Sequence, residues 1–240
     1  KKKYRSNFID KNLSMEIPHN ENFVYFPLGM DEERNLLIGA PFFTNQVETV
    51  RHIAKSLPIN HKLYVKEHYT ISIRDWRKTS DYDEIMAIPN VKLFHPSVSN
   101  NELLKNCSLV ISVGGTSSFE AVFYKKPSII FTDTNYSILP SVYKVNSMHE
   151  LPSVIRQSLL TQVESASLDK FLQILEKDSV NFDLYGYMSK MHEHFYFGGN
   201  LADVEITSSS MKSFLENNKI EFENLADAHI KKIVDYELNN

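Results

Sequence analysis

The chain has 240 residues, a formal net charge of −4 and a hydrophobic content of 42%. This length excludes a chain too small to bury its own core and suits one large domain, or one domain with an appendage. The small negative charge excludes a broad basic surface for nucleic acid, and the single cysteine, Cys107, excludes an intrachain disulfide. Since apolar runs fall short of the roughly 20 residues that a membrane helix needs, we expect a cytoplasmic protein.

The first 21 residues are polar and show no clear hydrophobic period. They are predicted to form a linker or an incoming segment. The basic opening, "KKKYR", is typical of a frayed terminus. A peripheral contact with an acidic membrane surface is the alternative interpretation of this end.

From residue 22 onward, short apolar runs alternate with helical patterns. The predicted strands are 23–28, 62–68, 91–96, 108–113 and 127–133, with 141–145 as a candidate short sixth strand. The helical patterns are 44–58, 100–107, 117–125 and 148–160, and residues 74–89 are either helical or irregular. Alternation of this kind is typical of βαβ units that form a parallel sheet with helices on both faces. Residues 22–160 are therefore predicted to form an α/β domain with a Rossmann-like, doubly wound parallel sheet.

After residue 160 the alternation stops. Helical patterns at 167–178, 184–197 and 225–238 are separated by polar connections. Residues 161–240 are therefore predicted to form a helical C-terminal appendage.

The segment "SVGGTSSFEA", residues 112–121, places two adjacent glycines between a predicted strand and a predicted helix. Gly114 and Gly115 allow a close approach of an anion to the main chain, and the start of a helix offers unpaired N–H groups. The hydroxyls of Thr116, Ser117 and Ser118 add further donors. The turn is therefore a candidate phosphate site. It lacks the spacing of a P-loop or a dinucleotide fingerprint, so an ordinary capped turn is the alternative.

Polar side chains also follow two other predicted strands. Lys66 and His68 end the second strand, and His95 and Ser97 follow the third. Because parallel strands end at the same edge of a sheet, we expect these groups near the glycine turn, where they could neutralise a phosphate. Glu120, one turn into the following helix, could accept hydrogen bonds from ribose hydroxyls. For each residue alone, ordinary surface polarity is the alternative.

The motifs "YFPLG", "YVKEH", "ELLKNCSLVIS" and "GGTSSFEA" occur in an order that resembles the capsule polysaccharide biosynthesis family. That family includes Kdo transferases and belongs to the GT-B glycosyltransferases, which hold a donor between two Rossmann-like domains. The resemblance spans residues 22–135 and corresponds to the C-terminal, donor-binding half. It departs from the family at Tyr69, where proline usually follows the histidine, and at Gly29, where histidine is frequent.

The resemblance implies specific roles. Gly115, Thr116 and Ser117 would hold the donor phosphate, and Glu120 would meet the nucleotide sugar. Lys66 and His68 would approach the donor phosphate or the transferred sugar. His68 is the one candidate for a catalytic group. No catalytic base is assigned, because the base of such enzymes often lies in the N-terminal half.

The function implied is transfer of a sugar, from a donor linked to CMP or UDP, to a hydroxyl of a surface or capsular polysaccharide. The implied partners are the donor, the glycan acceptor and an N-terminal GT-B domain or partner subunit. Neither a metal nor a cofactor is expected. Two alternatives remain open: a glycerophosphotransferase or sugar-nucleotide epimerase of the same fold, and a non-catalytic scaffold that retains the fold.

Overall fold

The computed structural model describes residues 2–18, 20–30, 35–69, 77–198, 200 and 203–238. They divide into two compact units, Lys1–Leu172 and Gln173–Asn240. The first unit extends beyond residue 160, the predicted end of the sheet domain. Leu168 and Phe171 account for this, because both are buried and the ring of Phe171 meets that of Phe119 at 5.6 Å between centroids.

The first unit is built on six parallel strands. These are β1 (Phe23–Pro27), β2 (Lys62–Lys66), β3 (Val91–Phe94), β4 (Leu109–Ser112), β5 (Ser128–Ile130) and β6 (Val142–Lys144). The strand order is β3-β2-β1-β4-β5-β6. This is the doubly wound Rossmann order, so the predicted fold class is confirmed. The order reverses between β1 and β4, and such a reversal opens a crevice at the carboxyl ends of those two strands.

Helices precede, connect and follow the strands. They are α1 (Lys2–Asn12), α2 (Gln46–Ser56), α3 (Thr79–Met86), α4 (Asn100–Asn106), α5 (Ser117–Phe123), α6 (Leu151–Leu159) and α7 (Ser165–Asp178), with a π-helical turn at Asn35–Gly39 and a 3-10 turn at Pro41–Phe43. The side chains of Asn45 and Ser99 cap α2 and α4 by accepting main-chain N–H groups. Within the described parts of the chain, every helix is too short or too polar to cross a membrane.

Alternating side chains of the strands enter two separate cores. Val24 and Val65 belong to the larger core on one face of the sheet, whereas Tyr25 and Tyr64 belong to a smaller, aromatic core on the other face. Because successive residues of a strand alternate between the two faces of the sheet, the last two residues of any strand point to opposite faces. This alternation decides which polar groups come together at the carboxyl ends of the strands.

The N-terminal segment is not simply a linker. It contains α1, whose Ile9 is fully buried in the larger core, followed by the buried Leu13. Ser14 then pairs with Phe94 as an isolated parallel bridge beside β3. The helix is polar along most of its length, and its few apolar side chains gain their burial from the sheet domain. Such a tertiary contribution leaves little trace in the local sequence pattern.

The second unit, described by itself, is helical. It contains the end of α7 together with α8 (Leu184–Tyr196), α9 (Ser208–Asn217) and α10 (Lys219–Leu238). Phe195 and Phe214 are its most buried aromatic residues, with centroids 4.9 Å apart. The predicted helical patterns at 184–197 and 225–238 correspond to α8 and to part of α10. Helix α9 was not predicted, and it begins with a run of serines.

Candidate functional site

A cleft of about 360 Å³ opens where the strand order reverses between β1 and β4. Its walls come from the segments that follow three strands. They are Pro27, Leu28 and Gly29 after β1, His68 after β2, and Ser112, Val113, Gly114, Gly115, Thr116 and Ser117 at the end of β4, together with Leu36. The glycine turn, defined here as residues 114–117, therefore forms one wall of the crevice expected from the strand order.

Buried hydroxyls hold the glycine turn in shape. The Gly115 N–H donates to Ser112 Oγ at 3.1 Å, and that oxygen lies 2.7 Å from Ser118 Oγ. On the other side, Tyr136 Oη donates to the Gly115 carbonyl at 2.6 Å. Burial raises the pKa of Tyr136, so its hydroxyl remains a donor near neutral pH. Ser118 is fully buried. We predicted that its hydroxyl would face a ligand, but it supports the turn from behind.

Other groups of the turn remain open to a ligand. Within the described residues, the N–H groups of Thr116 and Ser117 have no hydrogen-bond partner, and both residues line the cleft. Helix α5 has only seven residues, so its dipole adds little beyond these two donors. Thr116 precedes the helix, but its hydroxyl donates to Glu120 instead of capping the main chain. An anion in the cleft would therefore be bound mainly by main-chain N–H groups.

The two glycines serve different purposes. A Cβ atom on Gly114 would lie 2.4 Å from Thr132 Cγ2, so Gly114 is required for packing against the segment after β5. A Cβ atom on Gly115 would meet Ser112 Cβ at 3.9 Å, an ordinary contact. The absence of a side chain at Gly115 is therefore not needed for packing, and it keeps the cleft open.

Glu120 is held in a fixed orientation. Its Oε1 accepts a hydrogen bond from the Thr116 hydroxyl at 2.9 Å, and its Oε2 accepts one from Asn100 Nδ2 at 3.1 Å. Asn100 is fixed in turn by Tyr25, whose hydroxyl donates to Asn100 Oδ1 at 2.5 Å. Since Thr116 lines the cleft, this chain of contacts places the predicted carboxylate beside the glycine turn.

Lys66 lies on the same face of the sheet as Tyr25. The residue is only 7% exposed. Burial lowers the pKa of its ammonium group, while the negative charges of Glu120 and Glu67 act in the opposite direction. The two residues, which were predicted separately, therefore influence each other through their charges. His68, the other predicted group after β2, lines the cleft and stacks on Tyr69 at 4.8 Å between centroids.

A buried charged network that we did not predict lies directly behind the cleft. Glu67 Oε2 accepts hydrogen bonds from Arg77 Nε at 2.9 Å and from the Tyr82 hydroxyl at 2.8 Å. Its Oε1 accepts the main-chain N–H of His68 at 2.7 Å. Arg77 also donates through Nη2 to the carbonyl of Gly29. The sequence signal was the placement of a charged residue, Glu67, at the end of an apolar strand.

His95 and Ser97 do not line the cleft. Both the N–H and the hydroxyl of Ser97 lie close to His95 Nδ1, at 3.1 and 2.6 Å. The other ring nitrogen, Nε2, lies 3.0 Å from Asp10 Oδ1. These two residues join the end of β3 to α1, so their predicted role at a phosphate has no support in this geometry. Within the residues that the structure describes, no cluster of three or more histidine, cysteine or acidic side chains could hold a metal ion.

Comparison with known proteins identifies one family and several similar structures. The sequence model of the family described as "Capsule polysaccharide biosynthesis protein" matches residues 1–176. No curated protein matches the chain. The UDP-GlcNAc 2-epimerase from Methanocaldococcus jannaschii is 16% identical, with a TM-score of 0.46, and the match covers 74% of this chain and 50% of that one.

Two further solved structures illustrate the range of similar proteins. The beta Kdo 2,7 transferase of Thermosulfurimonas dismutans is 14% identical, with a TM-score of 0.43, and the match covers 63% of this chain and 50% of that one. The UDP-GlcNAc 2-epimerase from Neisseria meningitidis is 15% identical, with a TM-score of 0.46, and the match covers 72% of this chain and 49% of that one. The chain thus spans about half the length of the solved structures that it matches.

Proposed function

Because the chain belongs to the capsule polysaccharide biosynthesis protein family, we propose that its cleft binds a nucleotide-sugar donor for glycosyl transfer to a surface or capsular polysaccharide. One observation carries this proposal. The glycine turn forms a wall of the cleft at the reversal of the strand order, where doubly wound folds bind their ligands.

The proposed role of the glycine turn is to bind the donor phosphate. The N–H groups of Thr116 and Ser117 are suited to donate to a phosphate oxygen, since they have no partner within the described residues. As the sugar leaves the nucleotide, negative charge grows on that phosphate. Donors that are already oriented stabilise such a developing charge without further reorganisation. The turn thus supplies electrostatic stabilisation of the leaving group.

Glu120 and Lys66 complete the proposed donor site. Thr116 and Asn100 fix the Glu120 carboxylate, which retains further acceptor capacity for ribose hydroxyls. Lys66 adds a buried positive charge on the same side of the sheet, and His68 lies within the cleft wall. In this arrangement His68 is the candidate to contact the transferred sugar or its phosphate. The acceptor, and the base that deprotonates it, would be bound by a second Rossmann-like half on the same protein or on a partner subunit.

A thermal-shift screen of the chain with CMP, CDP, UDP and GDP tests the proposal. A ligand at about one hundred times its dissociation constant stabilises the folded state by about 2.7 kcal/mol. For a chain of this size, the midpoint should then rise by several degrees. We expect a selective rise with a cytidine or a uridine nucleotide.

The outcomes separate the proposed function from its alternatives. A shift with a cytidine nucleotide favours a Kdo-type donor or a glycerophosphate donor, and product analysis with an acceptor then distinguishes the two reactions. Conversion of the nucleotide sugar into its epimer without any acceptor would identify an epimerase. If neither this chain nor the chain together with its acceptor-binding half binds a nucleotide, the scaffold alternative is correct and the proposal is wrong.

A further inference from the structure

We propose that the buried Glu67–Arg77 ion pair is a positioning device that fixes two walls of the cleft, formed by Gly29 and His68. Neither residue of the pair lines the cleft. Each instead holds a main-chain group of a residue that does. The identity of the ligand in this inference rests on the proposed function, whereas the fixing of the walls does not.

The carboxylate of Glu67 controls the wall that follows β2. Its Oε1 accepts the His68 N–H at 2.7 Å, so the main chain at His68 is tied to the preceding side chain. Its Oε2 is already occupied by Arg77 Nε and the Tyr82 hydroxyl. Both oxygens of the Glu67 carboxylate are therefore occupied. This arrangement fixes the direction of the main chain at His68, where it leaves β2.

The guanidinium of Arg77 carries the same network to the wall that follows β1. Its Nη2 donates to the carbonyl of Gly29, which also accepts Gln46 Nε2 at 2.9 Å. The N–H of Gly29 donates to Gln46 Oε1 at 2.7 Å. Both polar groups of the Gly29 main chain are therefore bound to side chains that lie behind the cleft. Arg77 is the direct bridge between this wall and the Glu67 carboxylate.

The burial of the pair argues for positioning in preference to simple stabilisation. The Glu67 side chain is fully buried and that of Arg77 is 5% exposed. Removing two ions from water is costly, and apolar residues of similar volume often stabilise a core equally well. The ion pair of Arg51 with Glu84 is much more exposed, at 34% and 57%, and its two side chains contact each other on the surface. Of these two pairs, the buried one alone ends on main-chain groups of the cleft.

Glu67→Gln is the sharpest perturbation of this network. An amide has a single acceptor oxygen where the carboxylate has two, so it cannot accept both the His68 N–H and the Arg77 and Tyr82 donors. Tyr82→Phe is the milder variant, because it removes one donor and leaves the ion pair intact. Arg51→Gln is the matched control, since it disrupts an exposed arginine–glutamate pair in the same unit.

Two measurements on the intact chain test the inference. Amide hydrogen exchange, followed by NMR, reports the fixing of the Gly29 and His68 main chain without any ligand. Calorimetric titration with CMP and UDP reports the consequence for binding. For Glu67→Gln we expect exchange at these two amides to become at least about tenfold faster than in the control, and affinity to fall by about tenfold or more. Tyr82→Phe should show a smaller change in the same direction.

Several results would overturn the inference. One is unchanged exchange at Gly29 and His68 in a folded Glu67→Gln variant; another is faster exchange with an affinity equal to that of Arg51→Gln. If Glu67→Gln does not fold, Tyr82→Phe decides: a uniform loss of protection throughout the unit would indicate a merely structural network. If the unmodified chain binds neither CMP nor UDP, the proposed function fails, and the exchange data alone then support or overturn the fixing of the walls.

Discussion

Replacing Gly115 by valine should abolish nucleotide binding while leaving the fold nearly intact. The main chain at Gly115 lies outside the left-handed region, since Gly198 is the glycine with positive φ among the described residues. A Cβ atom there meets its nearest neighbour, Ser112 Cβ, at the ordinary distance of 3.9 Å. The two methyl groups of valine would extend from this point into the cleft, where the phosphate is proposed to lie.

The expected magnitude follows from the contacts that the valine side chain would block. A hydrogen bond to a charged group contributes about 1.5–3 kcal/mol. Loss of the phosphate contacts to the N–H groups of Thr116 and Ser117 should therefore weaken binding by about 3 kcal/mol or more, which is roughly a hundredfold or greater change in affinity. Stability should change by less than about 1 kcal/mol, because the main-chain conformation suits a residue with a side chain.

Gly114→Ala is the matched comparison, because it adds a smaller side chain at the neighbouring position. Its Cβ atom would lie 2.4 Å from Thr132 Cγ2, so it should destabilise the unit by about 1–3 kcal/mol. Urea unfolding and calorimetric titration of both variants separate stability from affinity. If Gly115→Val bound the nucleotide as tightly as the unmodified chain, the assignment of the phosphate to this turn would be refuted.

Three other predictions concern stability and reactivity. Burial raises the pKa of Cys107 to about 12, so its thiol should resist a thiol reagent at pH 8 until the chain unfolds, and rapid labelling of the folded chain would contradict this. Hydrogen bonds from Lys62 and Tyr64 lower the pKa of Glu21 below 4.5. Its contribution to stability is therefore present above that pH and is lost as the pH falls below it, and Glu21→Gln should reduce the acid sensitivity of unfolding. Ser112→Ala removes the hydroxyl that organises the glycine turn and should lower the free energy of unfolding by about 1–2 kcal/mol with an unchanged urea m-value.

The six strands could be predicted because each is a short apolar run, as expected for a sheet that is covered on both faces. Their parallel arrangement was predicted from the alternation of strands and helices. Helix α1 could not, since its two apolar residues next to the core, Phe8 and Ile9, are surrounded by polar ones. Its stability derives from contacts with the sheet, and such contacts join residues that are far apart in the sequence.

The candidate site was predictable in part for the same reason. The glycine turn and Lys66 lie at the ends of strands, and Glu120 lies one turn into the helix that follows the glycine turn, so the parallel sheet brings these groups to one edge. Arg77 follows no such element, and its importance arises from a contact with Gly29 across 48 residues of sequence. His95 does not line the cleft, and its partner Asp10 belongs to the helix that the sequence pattern did not reveal.

The central claim is that the glycine turn binds the phosphate of a nucleotide, and NMR titration of the isotopically labelled chain tests it most directly. With the nucleotide that stabilises the chain, the largest amide shift changes should occur at Thr116 and Ser117, whose N–H groups are the proposed donors. Smaller changes should appear at Gly29 and His68, which also line the cleft. Binding that shifts amides of the helical unit and leaves Thr116 and Ser117 unchanged would contradict the account.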